Sequence, residues 1–468
     1  NFKSPKLTNL DKMKAISTKL IRQCQASYSA AAASKSIDKS LKSLKVSEVE
    51  HLPNGIRLAT VEGPLKGYSK ISAVYDAGSR HEDYSNRGIT HLLQRSACLT
   101  TSKELAINIT RSLEQLGIAF NCRNTRDHLV YSLDLRSSCA VPALQALGWV
   151  STCTEFFHWE LKNSSYKLMK ADNDVISRLE LDRLAFELLH KAAFRTGLGR
   201  SVFAEEAMIG DHTGDMLHKY VKEHMTPDRL TIVGYNVSSK QMHDALKSRF
   251  EFHPPSAKKP VKSQFHSGEI RHDLPLDMAY VALGYSGASS ANLSECLSAG
   301  ILARVLGESR DGSVAWGSNT NTRIGKALAA EKKTGASASG LNLSYSDAGL
   351  LGFEVVGLAS AVGDVVKQLH AEAGKLAAQG VQDAELKMAK KKLCADILMR
   401  AESAAESTEA IAVHVAINND FSSFESIIAE VEGLSLDQVN KTAKKLFSTK
   451  PAMASVGNLE TVPYLEEL

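Results

Sequence analysis

The sequence predicts an α+β protein of two homologous domains, each a mostly antiparallel sheet with helices over one face. Three observations carry this reading. The chain repeats itself at a spacing of 222–223 residues, and a stretch rich in proline and lysine divides it near the middle. Within each half, adjacent strand-like runs are followed by helical ones. At 468 residues the chain is also too long for one ordinary core and fits two domains of roughly 200 residues.

The repeat is clearest at two places. Tyr131-Ser-Leu133-Asp-Leu135 alternates like a strand and leads into Val141, Leu144 and Leu147 at helical spacing. Phe353-Glu-Val355-Val leads in the same order into Val365, Val366 and Leu369. Near the end of each half, Thr226-Pro-Asp-Arg-Leu-Thr-Ile-Val233-Gly234 is answered by Thr449-Lys-Pro-Ala-Met-Ala-Ser-Val456-Gly457. Between the halves, His253-Pro-Pro-Ser-Ala-Lys-Lys-Pro260 can continue neither a helix nor a central strand. The expected division is a leading segment 1–45, a first domain 46–252, a linker 253–267 and a second domain 268–468.

In the first domain Leu52-Pro-Asn-Gly55 makes a turn, and 56–61 and 69–75 alternate as strands. A helix starts near Gly88, and another covers about 104–116, ending on Gly117 as its C-cap. A strand pair around Phe120 and over 129–135 turns at 124–127. Helices fill most of 141–222 before a closing strand at 230–235. In the second domain strands are expected near 279–283 and over 343–356, with helices after them. The longest runs from Asp383 to about Ala401, with Leu386, Leu393 and Ile397 on one stripe and the lysines of 387–392 on a solvated face.

Charge separates the leading segment from the rest. Residues 1–45 carry ten Lys or Arg against Asp11 and Asp38, so the net +4 of the chain leaves −4 for the remainder. A globular part of that sign is not expected to bind nucleic acid, which needs a basic face. From Met13 to Ile37 the cations are Lys14, Lys19, Arg22 and Lys35, with no acid, abundant Ser and Ala, and Ile16, Leu20 and Ile21 at helical spacing. That is the composition of a mitochondrial transit peptide. Residues 1–12 precede the first Met and read as upstream translated sequence. No run of about 18 apolar residues occurs, so no helical membrane span is expected. Seven scattered cysteines without a Cys-x-x-Cys pair read as incidental thiols in a reducing compartment.

The motif that bears on chemistry follows the turn Gly78-Ser-Arg-His81-Glu82. It is Gly88-Ile-Thr-His91-Leu-Leu-Gln94-Arg95. Its frame is that of H-x-x-E-H, where two histidines at i and i+4 hold zinc on one helix face and the Glu takes a proton from zinc-bound water. Only His91 matches. Gln94 replaces the base with an amide that accepts no proton at neutral pH. Arg95 replaces the second histidine with a permanent cation that has no lone pair for a metal.

With its Gly-x-x-His lead-in and duplicated chain, the sequence resembles the pitrilysin and mitochondrial processing peptidase family over essentially all of 48–468. The resemblance implies a further acidic ligand downstream, where Asp172 and Asp174 stand. His91, Gln94, Arg95 and Asp172 are therefore expected to be vestigial metal-site positions, with no catalytic residue, metal or cofactor. Processing-peptidase α-subunits also lack the metal motif but carry a flexible glycine-rich loop in the second domain. Here the stretch from Gly307 to Gly317 interleaves its glycines with Val314, Trp316 and charges.

Three segments resemble instead the core protein 2 branch, found in ubiquinol–cytochrome c reductase (respiratory complex III). They are Gly317-Ser-Asn319, the run Ser344-Tyr-Ser-Asp-Ala-Gly-Leu-Leu-Gly-Phe353, and the tail from Met453 to Leu468. That resemblance implies a non-catalytic subunit on the matrix side of the mitochondrial inner membrane. It would be an obligate hetero-oligomer with core protein 1 and other complex III subunits, peripheral to the membrane through them, and would bind no haem, quinone or metal. The rivals are a processing-peptidase α-subunit that binds presequences without cutting, and an active zinc peptidase, which Gln94 and Arg95 oppose.

Overall fold

The computed structural model describes residues 44–254, 262–309, 322–331, 335–421 and 423–468. The leading segment up to residue 43, the Pro-Lys run at 255–261 and the tract Gly317-Ser-Asn319 lie outside the described residues.

The first half opens with strands β1 (Lys45–Val46), β2 (Glu50–His51), β3 (Arg57–Glu62) and β4 (Tyr68–Tyr75). Helices α1 (Ile89–Arg95) and α2 (Ala106–Leu116) follow, then the hairpin β5 (Ala119–Asn124) and β6 (Leu129–Arg136). Next come α3 (Ala140–Thr152), α4 (Tyr166–Arg178), α5 (Leu181–Ala193), α6 (Gly214–His224), the closing strand β7 (Leu230–Tyr235) and α7 (Ser239–Ser248). The sheet order is β1-β3-β7-β4-β6-β5 with β2 beside β3, and β3–β7 is its one parallel pair.

The second half repeats the plan. It contains β8 (Glu269–Asp273), β9 (Met278–Ser286), α8 (Leu293–Leu306), β10 (Glu308–Ser309), α9 (Arg323–Glu331), β11 (Ala336–Ser344) and β12 (Gly349–Leu358). These are followed by α10 (Ala359–Gln379), α11 (Asp383–Glu402), α12 (Ala404–Asn418), α13 (Phe424–Gly433), α14 (Leu436–Phe447) and β13 (Ala452–Gly457). Its order, β8-β13-β9-β12-β11-β10, again has one parallel pair, β8–β13, next to an antiparallel run. A single parallel pair in the same place of both sheets is a specific signature of duplication.

Register refines the repeat. Tyr131 stands opposite Ala73, which stands opposite Ile232 on its other side; Phe353 stands opposite Leu283, which stands opposite Met453. If Tyr131 matches Phe353, Ile232 matches Met453, an offset of 221 rather than 223. Gly457 then corresponds to Asn236, and both have positive φ, 106° and 52°, just where their strands end. The Val-Gly motifs thus lie on equivalent strands but two residues out of register, a slip that keeps the same side chains on the same face.

Two expectations need correction. The stretch 343–356 is not one strand but parts of β11 and β12, turning at 345–348. Ala336-Ser-Ala-Ser-Gly340 offers none of the β-branched or aromatic residues that mark strands, so the start of β11 leaves little trace in the sequence. Among the described residues the longest helix is α10, with 21 residues, and not α11, with 20.

Each half keeps most of its own helices on one face of its sheet. Ile71, Ala73, Tyr75, Leu133 and Leu135 pack with Leu144 and Leu147 in the first half, and Leu283, Phe353 and Val355 with Val362, Val366 and Leu369 in the second. The opposite faces are covered by exchange. Val74, Val130 and Val233 of the first sheet pack against Ile411, Ala412 and Val415 of α12. Ala282, Leu350, Ala454 and Val456 of the second pack against Leu181, Ala185 and Leu189 of α5. This is why β7 and β13 are buried along their whole length instead of alternating.

Because each half completes the other's core, the described chain should unfold as one cooperative unit. Ile411→Val should lower stability by about 0.5–1.5 kcal/mol while leaving a single calorimetric transition. Two separated transitions would contradict the exchange.

Candidate metal centre

The helix that carries the motif is positioned from its N-terminus. Gly88, the residue before α1, has φ 84°, and a Cβ there would lie 2.3 Å from the Cβ of Ala204. Only glycine meets both demands. The buried Glu82 carboxylate accepts the N–H of Gly88 at 2.7 Å, the N–H of Thr90 at 3.0 Å and the Thr90 hydroxyl at 2.6 Å. Burial pushes Glu82 up to about 7, while those donors pull the other way.

His91 and Arg95, at i and i+4, both reach Asp172 on α4. His91 Nε2 lies 2.8 Å from Asp172 Oδ2, and Arg95 donates Nε to Oδ2 and Nη2 to Oδ1, each at 2.5 Å. The spacing that would converge two histidines on an ion instead converges an imidazole and a guanidinium fork on one carboxylate. Burial works to raise the Asp172 carboxyl, but the hydrogen bonds from His91 and Arg95 outweigh it and hold the group below its ordinary value. Asp174, the other sequence candidate, is exposed and lies 3.4 Å from Arg178, away from the motif. Gln94 is half-buried beside this cluster.

The hydrogen bond on the other side of His91 decides what the imidazole can do. The backbone N–H of Ala204 points at His91 Nδ1 at 3.2 Å. A backbone N–H only donates, so Nδ1 carries the lone pair and the proton of the neutral ring sits on Nε2, facing Asp172. A histidine ligating through Nε2 needs the opposite tautomer, with Nδ1–H donating to an acceptor. Arg95 adds a fixed positive charge on the same carboxylate. These residues do not fit a zinc ion. Among the described residues, no group of three or more His, Cys, Asp or Glu is placed to hold a metal.

Sequence reasoning brings together His91, Arg95 and Asp172. It misses Glu82 as the cap, and it misses Ala204 and Phe203, whose ring meets His91 edge-on at 5.4 Å. A backbone N–H leaves no residue-type signal, so Ala204 is not legible in principle.

The turn that leads into α1 also ties the halves together. Arg80 Nη1 donates to Asp127 at 2.7 Å and to Ser346 Oγ at 2.5 Å, and its Nη2 donates to Asp347 at 2.7 Å. Ser346 N donates to Asp127 at 2.9 Å, and the Tyr345 hydroxyl lies 2.7 Å from His190 Nε2. The run beginning at Ser344 is therefore the β11–β12 turn that locks the second half onto the first. At the start of the same segment, burial works to raise the Asp76 carboxyl, but the hydrogen bond to His81, with the charges of His81, His128 and Arg229, holds it at about 2.

A carboxyl lowered on folding contributes stability above its unfolded value that is lost on acidification. The Asp76 side chain is 35% exposed, so solvent screens part of this gain. About 1 kcal/mol should therefore disappear as pH falls from about 4 to 2, and Asp76→Asn should flatten that part of a stability–pH curve.

The model described as Insulinase (Peptidase family M16) matches residues 57–206, and that described as Peptidase M16 inactive domain matches 211–393. The chain belongs to the M16 peptidase family. In this chain Gln94 and Arg95 stand where the zinc motif of that frame has its base and second histidine. A human relative, cytochrome b-c1 complex subunit 2, mitochondrial, is 29% identical over 90% of this chain and 92% of its own length. A Dictyostelium discoideum relative, mitochondrial-processing peptidase subunit alpha-2, is 23% identical over 91% of this chain and 95% of its own. A chain of the solved Candida albicans complex III2 superposes with TM-score 0.78 at 16% identity, covering 90% of this chain and 98% of that one, which supports the same fold.

Proposed function

We propose that the chain is a non-catalytic core subunit of mitochondrial respiratory complex III, on the matrix side of the inner membrane, and that it supports assembly for electron transfer from ubiquinol to cytochrome c. The observation that carries this reading is the closure of the metal position by Arg95 and Asp172 in a chain that matches subunit 2 of that complex along nearly its full length. In this reading His91, Gln94, Arg95 and Asp172 are the remnants of a zinc site, and the Arg95 guanidinium is paired with the carboxylate that would have been a ligand. The two peptidase-like domains are assigned to 46–252 and 268–468, with 253–267 as linker and 1–45 as upstream segment and transit peptide. The partner is core protein 1, in an obligate pair, together with other complex III subunits. Attachment to the membrane runs through those partners. Among the described residues no helix is long and apolar enough to cross one.

Depleting the chain from cells tests the proposal. Complex III content and ubiquinol–cytochrome c reductase activity should fall while presequence cleavage continues. Loss of cleavage with intact complex III would instead favour the processing-peptidase α-subunit.

A further inference from the structure

A cavity of about 410 Å³ opens behind the closed metal position, walled by α4, α5 and the segment 199–209. Its volume falls in the range of small-ligand pockets. The apolar part of the wall includes Ile176, Leu184, Leu188, Phe203 and Ile209. Gly88 and Ala204 border it as well, so the cavity shares a wall with the backbone that fixes His91.

Its charges are unevenly spent. Of the acids in the lining, Glu187 is held by Arg126 at 2.8 Å, Asp174 by Arg178 at 3.4 Å, and Glu205 by Arg87 at 3.0 Å with Lys191 at 3.8 Å. Glu82 is committed to the α1 cap. That leaves Glu206 against the exposed Lys170 and Arg195, with Arg200 close enough to Glu82 for its charge to act on that buried carboxyl. None of the four is in an ion pair with a described residue. A pocket with an apolar wall and a surplus of cations at its rim is complementary to a ligand with an apolar body and an anionic head.

We infer that this cavity is a binding site for a small amphiphilic anion, a carboxylate or phosphate on an apolar body, with the head at Lys170, Arg195 and Arg200 and the body against Leu184, Leu188 and Phe203. The site is separate from the vanished metal chemistry and does not depend on which assembly the chain belongs to. Lys170 and Arg195 are exposed, so reversing their charge leaves the core untouched. Arg200 is partly buried and serves as a second position, replaced by methionine to keep its bulk.

The test is equilibrium dialysis of 1-naphthyl phosphate against the native assembly containing the full chain, with 1-naphthol and inorganic phosphate as the body and the head alone. The wild-type assembly should bind 1-naphthyl phosphate at least tenfold more tightly than either fragment. Lys170→Glu with Arg195→Glu should weaken that binding at least tenfold without changing 1-naphthol, and Arg200→Met should weaken it in the same sense. Binding of 1-naphthyl phosphate no tighter than the fragments, or unchanged in the charge-reversed and Arg200→Met assemblies, would overturn the inference.

Discussion

Arg80→Ala should lower the stability of the folded chain by about 3–5 kcal/mol, because it strips the cation from a buried ion pair. The side chains of Arg80 and Asp127 are only 3% and 5% exposed, so the aspartate left behind has no route to solvent. It keeps the Ser346 N–H and loses its counter-charge. Asp347, 22% exposed, also loses its partner but can hydrate, so Asp347→Asn should cost clearly less. Denaturant unfolding of the three proteins, compared at equal slope, gives the numbers. A loss below about 1 kcal/mol for Arg80→Ala would mean that the turn at 345–348 does not lock the halves together.

Gln94→Glu combined with Arg95→His should convert a chain that keeps no stoichiometric zinc into one that binds it in the micromolar range or tighter, about 8 kcal/mol of binding free energy. The wild type lacks a second histidine and holds His91 in the wrong tautomer; the double variant supplies the histidine and frees Asp172 from the guanidinium. His91 must still give up the Ala204 N–H, so affinity should fall short of a dedicated site by tenfold or more. Peptide hydrolysis should not return with the metal, because the groups that orient the ligands are set for an ion pair. Metal analysis after dialysis against a mild chelator settles both halves of this expectation. Stoichiometric zinc in the wild type would contradict the tautomer assignment directly.

Much of the fold is legible in the sequence because local pattern and long-range structure agree in it. Leu129, Tyr131, Leu133 and Leu135 recur at every second position since that side of β6 meets the helices of its own half, and Gly117 ends α2 with φ 66°, as its conformational freedom allows. The i, i+4 spacing of His91 and Arg95 is enough by itself to put both on one helix face. The exchange of α5 and α12 is not legible, because an amphipathic stripe says that a helix buries one side and not against which sheet. The specific run from Ser344 is recognisable as a tract, yet its role as the lock depends on Arg80, Asp127 and His190, all more than 150 residues away. The Val-Gly motifs suggest a repeat offset two residues longer than the strand register supports, because both registers present the same face.

The central claim is that this M16 chain has exchanged chemistry for a structural place in complex III. Native electrophoresis of solubilised mitochondria, followed by identification of every chain that co-migrates with it, addresses that claim most directly. The account predicts stoichiometric co-migration with a second, homologous core protein and with the cytochrome subunits, and little free chain. Migration as a soluble pair with a zinc-containing peptidase subunit, or as a free monomer, would contradict it.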